Sequence, residues 1–174
     1  MRKFIMSVAL LCMTAVCFGQ TPAIQSFYSK YKNQENVTDI KLKGWVLKLA
    51  STFADEEDAE RLLKNITHLR VLIMEEGNLV GVSEYKQLIK SVKQDRFEEL
   101  MKIKEEGSSI DFLIREKGDT ITDVLILVSG EDGFVLLSLE GALQFKDLHN
   151  LEIDVEGGEN FKKIPRDRGE VPRA

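Results

Sequence analysis

The densest apolar patterning lies between residues 109 and 141, where three runs of aliphatic and aromatic residues are separated by charged, glycine-bearing breaks. Residues 110–114 and 134–139 flank the unbroken run Val124-Leu125-Ile126-Leu127-Val128. Runs of this length and composition are strands that bury side chains on a pleated surface. The breaks Glu116-Lys117-Gly118-Asp119 and Gly130-Glu131-Asp132-Gly133 offer glycine for positive φ and charge to keep the tips in water. Both are too short for a crossover, so the three strands are predicted to be antiparallel neighbours. The middle strand is apolar at both parities, which predicts cover on both faces. Helices from the N-terminal half supply one face; a loop, the C-terminal segment or a second subunit must supply the other.

Upstream, the period changes. Thr21-Pro22 reads as a helix start, with threonine capping and proline at the first helical position. Ile24, Phe27, Tyr28 and Tyr31 then fall on one helical face, which reads as core. Residues 37–42 alternate like a short strand, and Trp45, Leu47, Leu49 and Phe53 follow in a helix beyond Gly44. The acidic run Asp55-Glu56-Glu57-Asp58 precedes Ala59, Leu62, Leu63 and Ile66, read as another helix face. Four clustered acids can hold a divalent cation, but acids at a helix N-terminus complement its dipole, and that is the reading preferred. Residues 69–74 read as a strand, 77–81 as a turn, and Tyr85, Leu88, Ile89 and Val92 as an amphipathic helix. Phe97, Glu99, Met101 and Ile103 share one parity, giving a strand over 97–104; Leu143, Phe145, Leu148 and Leu151 suggest a short closing helix or turn.

The ends of the chain carry the address. Arg2 and Lys3 precede an apolar stretch over residues 4–16 that closes in Cys17-Phe18-Gly19-Gln20, the layout of a cleaved secretory signal peptide with cleavage after Gly19. The stretch falls short of the ~20 residues that span a bilayer. Cys17 sits in a poor context for lipid attachment, so lipid anchoring is not expected. Cys12 and Cys17 are the only cysteines, and both leave with the leader, which removes disulfides, thiolate chemistry and cysteine metal sites from the mature chain. About 150 residues remain, enough for a hydrophobic core without cross-links. The full chain carries 24 Lys and Arg against 29 Asp and Glu, a net charge of −5, and loss of Arg2 and Lys3 takes it to −7. That balance argues against nucleic acid as a partner. From residue 156 onward, glycine, proline and charge leave little to bury, so 156–174 reads as a disordered charged tail. The predicted organisation is a signal peptide over 1–19, a domain over 20–155 and that tail.

Signatures of catalysis are missing: no Gly-x-Ser-x-Gly, no His-Glu-x-x-His and no phosphate-cradling glycine loop. His68 and His149 stand alone in sequence and read as surface or structural residues. Ser83, in Gly81-Val82-Ser83-Glu84, reads as a helix cap rather than a nucleophile. Glu75-Glu76 and Glu98-Glu99 are adjacent, and adjacent residues on a strand face opposite sides. Asn36-Val37-Thr38 and Asn65-Ile66-Thr67 match a glycosylation sequon too short to carry weight. No catalytic, cofactor-binding or metal-binding residue is assigned, and no cofactor is expected.

Several stretches, in order, resemble a bacterial family of small exported proteins of unknown function, DUF4252: Thr38-Asp39-Ile40 through Leu49, residues 69–74, Phe97-Glu98-Glu99-Leu100-Met101, and residues 134–141 ending in Glu140-Gly141. The likeness covers about residues 25–150. It implies an α+β fold and a location in the envelope of a Gram-negative bacterium, often beside sigma-factor systems, and it implies no activity. Together these readings predict a single α+β domain, a mostly antiparallel sheet with a C-terminal β-meander and helices mainly on one face. The function expected is a non-catalytic, exported envelope module, periplasmic or envelope-bound, that binds an envelope protein or itself within a sigma-factor-linked stress or regulatory circuit. The alternative is a carrier of a small apolar ligand or lipid.

Overall fold

The computed structural model describes residues 21–52, 57–105 and 107–149. The expected signal peptide, both cysteines, Phe53, Asp55, Glu56, Leu151 and the expected tail over 156–174 lie outside the described residues. In chain order the elements are α1 (Pro22–Tyr31), β1 (Val37–Lys43), α2 (Gly44–Ser51), α3 (Glu57–Asn65), β2 (Ile66–Met74), α4 (Val82–Gln94), β3 (Glu98–Glu105), β4 (Ser108–Lys117), β5 (Thr120–Ser129), β6 (Phe134–Leu143) and α5 (Phe145–His149). The six strands form one antiparallel sheet in the order β1-β2-β6-β5-β4-β3. This is a single α+β domain, with the sequence-read meander at its centre.

The first helix starts as its sequence dictates. Thr21 Oγ1 accepts from the Ile24 N–H at 3.5 Å, and Pro22 occupies the first turn, where its missing N–H costs nothing. Ile24, Phe27, Tyr28 and Tyr31 are all buried. They pack with Leu88 and Val92 of α4 over Leu72, Leu113, Leu125, Leu127 and Leu136, one parity of the central strands. The other parity, including Val124, Ile126, Phe112, Ile114 and Leu139, packs against Leu47 of α2, Leu62 of α3, and Phe145 and Leu148 of α5. The doubly apolar middle strand is thus covered on both sides by the chain's own helices. They divide between the faces, α1 and α4 against α2, α3 and α5, rather than gathering mainly on one. The physical reason is the pattern on β5 itself: residues 124–127 are all buried, so neither face can meet water.

Local details depart from the sequence reading in instructive ways. Ile66 opens β2 instead of closing the α3 face; helix passes directly into strand, and Ile66 is buried opposite Gly141. Phe97, just before β3, belongs to the α1/α4 side, while Leu100 on β3 belongs to the α2/α3/α5 side, with Met101 and Ile103 packed against it. The register slips between Glu99 and Met101, and that β-bulge breaks the single parity read from sequence. Gly118 has φ +64 in its hairpin, as a tight turn requires, but neither Gly130 nor Gly133 adopts positive φ. Gly133 serves a different need, since a Cβ there would collide with the Met74 carbonyl oxygen. Gly81, not Ser83, is the N-cap of α4. In α2 only Leu47 and Ser51 are buried; Trp45 and Leu49 point outward. At α5, Asp147 Oδ2 accepts the Gln144 N–H at 2.8 Å while Arg61 holds its Oδ1 at 3.0 Å, so a buried carboxylate fixes the closing helix to α3.

Candidate functional site

One cross-strand row of polar residues crosses the α1/α4 face at the end of the sheet where β2 begins and β6 ends. Arg115 of β4 faces Asp123 of β5, Asp123 faces Glu140 of β6, Glu140 faces His68 of β2, and His68 faces Lys43 of β1. Register irregularities accompany the row at three of its joins, between Arg115 and Glu116, Ile121 and Asp123, and Ile66 and His68. Bulges of this kind re-aim side chains and close off regular pairing. Gly141 lies beside the row because a Cβ there would collide with the Asn65 carbonyl oxygen.

The row is wired internally. Arg115 donates twice to Asp123, Nε to Oδ2 at 2.8 Å and Nη2 to Oδ1 at 2.7 Å, and its guanidinium lies 5.2 Å from the Phe97 ring centre. The Thr122 hydroxyl reaches Asp123 Oδ2 at 2.7 Å. His68 Nδ1 stands 3.3 Å from Glu140 Oε2, and the Thr67 hydroxyl donates to the Glu140 carbonyl at 3.0 Å. Burial pushes the Glu140 carboxyl above its ordinary value; His68 pulls it down and Asp123 pushes it further up.

Above the row, an open cleft of about 760 Å³ is bounded by Thr21 and Pro22 at the start of α1, by Gln94, Asp95 and Arg96 at the end of α4, and by the strand ends below. Arg96 is held at φ +66, the left-handed position after a helix where glycine is usual. The Phe97 N–H returns to the Val92 carbonyl at 3.1 Å and closes the helix end around it. The cleft combines three cationic side chains (Arg96, Arg115, Lys117), four carboxylates (Asp95, Glu116, Asp123, Glu140) and the hydroxyls of Thr21, Thr67 and Thr122.

A second polar cluster is a structural tie. Asp111, wholly buried, accepts from the Tyr85 hydroxyl and from Lys102 Nζ, linking α4 and the edge strand β3 to β4. Burial, with the Asp111 hydrogen bond, holds the Tyr85 phenol far above its ordinary value. Its carboxylate has no exposed surface for a substrate to touch.

Sequence reading singled out none of the row's carboxylates. Of the residues it discussed as candidates, His68 is half-exposed but has Glu140 as a neighbour, and Ser83 is exposed on α4. Glu75, Glu76, Glu98 and Glu99 are exposed and stay outside the row. The carboxylates that do meet, Asp123 and Glu140, lie on different strands and become neighbours only through the β5–β6 register. The signal available was one charge interrupting each of two apolar strands. Among the described residues no group of three His, Cys, Asp or Glu is placed to hold a metal ion, and no helix is long and apolar enough to cross a membrane.

No curated protein and no solved structure matches this chain. The family model described as "Domain of unknown function (DUF4252)" matches residues 31–151, a span that runs from the end of α1 past α5 and includes every strand. The chain therefore belongs to the DUF4252 family.

Proposed function

We propose that the protein is a non-catalytic module of the cell envelope that binds another protein through the cleft above the Arg115–Asp123–Glu140 row. The observation that carries this reading is Arg96. A non-glycine residue in the left-handed region is costly, and such strain is retained where a side chain is needed. Here the strained backbone places a cation at the rim of a cleft in which Arg115 and Asp123 hold each other in place. A fixed array of both signs suits recognition of a charged polypeptide segment, because complementary charge sets register and rejects wrong partners. The leader-like layout of residues 1–19 supports an envelope location, and the family resemblance supports a place in a sigma-factor-linked circuit. The alternative, a carrier of a small apolar ligand or lipid, is the weaker reading, because this cleft is lined by charged and hydroxyl groups.

The test is site-specific photocrosslinking in the native host, with the crosslinker at Gln94 or Asp95 on the rim. A discrete partner captured there, and lost in an Arg96→Gly variant, supports the reading. No capture from the rim, with capture from an exposed position at the opposite end of the sheet such as Glu131 in the β5–β6 turn, would overturn it.

A further inference from the structure

The two edges of the sheet are built differently. At one edge β3 carries the bulge between Glu99 and Met101, a device that turns an edge away from further pairing. At the other, β1 pairs with β2 without interruption from Val37 to Lys43, whereas each of the other pairings contains a register irregularity. β1 buries none of its residues, while every other strand buries at least one. It holds no proline and no glycine, and no strand among the described residues lies on its outer side. A regular, exposed edge of this kind presents main-chain N–H and C=O groups to an added strand.

Its side chains select which strand fits. Val37-Thr38-Asp39-Ile40-Lys41-Leu42-Lys43 is complementary to itself when read antiparallel about Ile40. Asp39 then opposes the partner's Lys41, and Lys41 the partner's Asp39, while Ile40 meets the partner's Ile40 at the two-fold axis. An axis moved to Asp39 or Lys41 sets that charge against its own copy, and one centred on Leu42 sets Lys41 against Lys43. Paired residues on an antiparallel ladder share a face, which excludes registers centred between residues.

Both faces of β1 agree with this register. Asp39 and Lys41 lie on the α1/α4 side, opposite Leu72 and Arg70, with Lys41 Nζ 3.0 Å from Asp39 and 4.8 Å from the Tyr28 ring centre. Arg70 lies against the same ring, so two cations adjoin the Asp39 carboxylate, and the partner's Asp39 supplies a second anion. On the other face Ile40, 39% exposed, gains an apolar neighbour at the axis.

We propose that β1 is a homodimerisation edge, which joins two copies of the chain antiparallel about Ile40 into one continuous sheet. The two-fold axis stands normal to that sheet, so both clefts open on the same face. No residue of β1 lines the cleft, so this inference and the cleft reading fail separately.

The test is sedimentation equilibrium on protein purified from its native host, with amide hydrogen exchange read across β1. The parent should dimerise, with β1 amides protected in the dimer and open on dilution to monomer. Asp39→Lys and Lys41→Asp should each weaken the dimer about tenfold or more, because each turns two opposite-charge pairs into like-charge pairs. Mixed in equal amounts, the two variants should recover the parent's affinity as a heterodimer. The pair within each chain stays broken in that mixture, so recovery comes only from pairing between chains, and it shows that both variants fold. Arg96→Gly should dimerise as the parent does. A parent that stays monomeric at its solubility limit, single variants that dimerise like the parent, or a mixture that stays monomeric would each overturn the proposal. Protected β1 amides in a monomeric parent would overturn it too, since a segment of the same chain would then hold the edge.

Discussion

Arg115 grips Asp123 across β4 and β5 with two parallel N–H···O bonds, at 2.8 Å and 2.7 Å, in a row where the next carboxylate, Glu140, meets the His68 imidazole at 3.3 Å. The two acids are cross-strand neighbours with opposite fates: one is matched by a rigid cationic fork, the other is left desolvated. Removing the Asp123 carboxylate leaves the partly exposed Arg115 guanidinium, stacked on Phe97, without its two charge-assisted hydrogen bonds. Asp123→Ala is expected to cost about 1.5–3 kcal/mol, read as a lower urea midpoint, the scale of hydrogen bonds to a charged group. A change below about 0.5 kcal/mol would mean that the pair is effectively solvated.

For Glu140 the sign of the pH dependence is fixed by the direction of its shift. A carboxyl raised above its ordinary value of 4.5 favours folding fully below that value, and the contribution is lost as pH rises through the higher folded value. Glu140→Gln keeps a neutral side chain at every pH. The variant's stability relative to the parent should therefore increase from pH 4 to pH 7, measured by urea unfolding at both. An unchanged or reversed difference would refute the burial of this carboxyl.

Tyr85 gives the alkaline counterpart. Its phenol is raised above the ordinary value of 10.0, so the neutral form belongs to the folded state and stability should fall once pH exceeds about 10. In Tyr85→Phe that alkaline loss should shrink. At pH 7 the same variant should be about 1–2 kcal/mol less stable, because buried Asp111 loses a donor.

Arg96→Gly separates stability from binding. Relief of the left-handed strain should raise stability by roughly 0.5–1 kcal/mol, while capture of the partner at the cleft is lost. A variant that is more stable and still captures the partner would show that the arginine is not the recognised group.

Ile126 and Leu127 are consecutive on β5 and point to opposite faces, yet both are buried. Truncation of either to alanine should cost about 2–5 kcal/mol. A sheet with one uncovered face would give a large loss at only one of the two.

The chain's own patterning determined its elements, its three-stranded centre, its α+β class and its kinship. Those properties depend on neighbours in sequence: Thr21 and Pro22 start α1, Ile24 to Tyr31 set its inner face, and the apolar run 124–128 can only be a strand with cover on both sides. Tertiary structure decided which elements supply that cover, because helix placement depends on connections, and α4 carries the chain across one face from β2 to the far edge. It also decided the bulge at Leu100 and the close approach at Gly141, both products of register between distant strands. The row of Arg115, Asp123, Glu140 and His68 was beyond sequence reading for the same reason. Each residue is an ordinary polar position in its own strand, and only the pairing of β4, β5, β6 and β2 brings the charges within reach of one another.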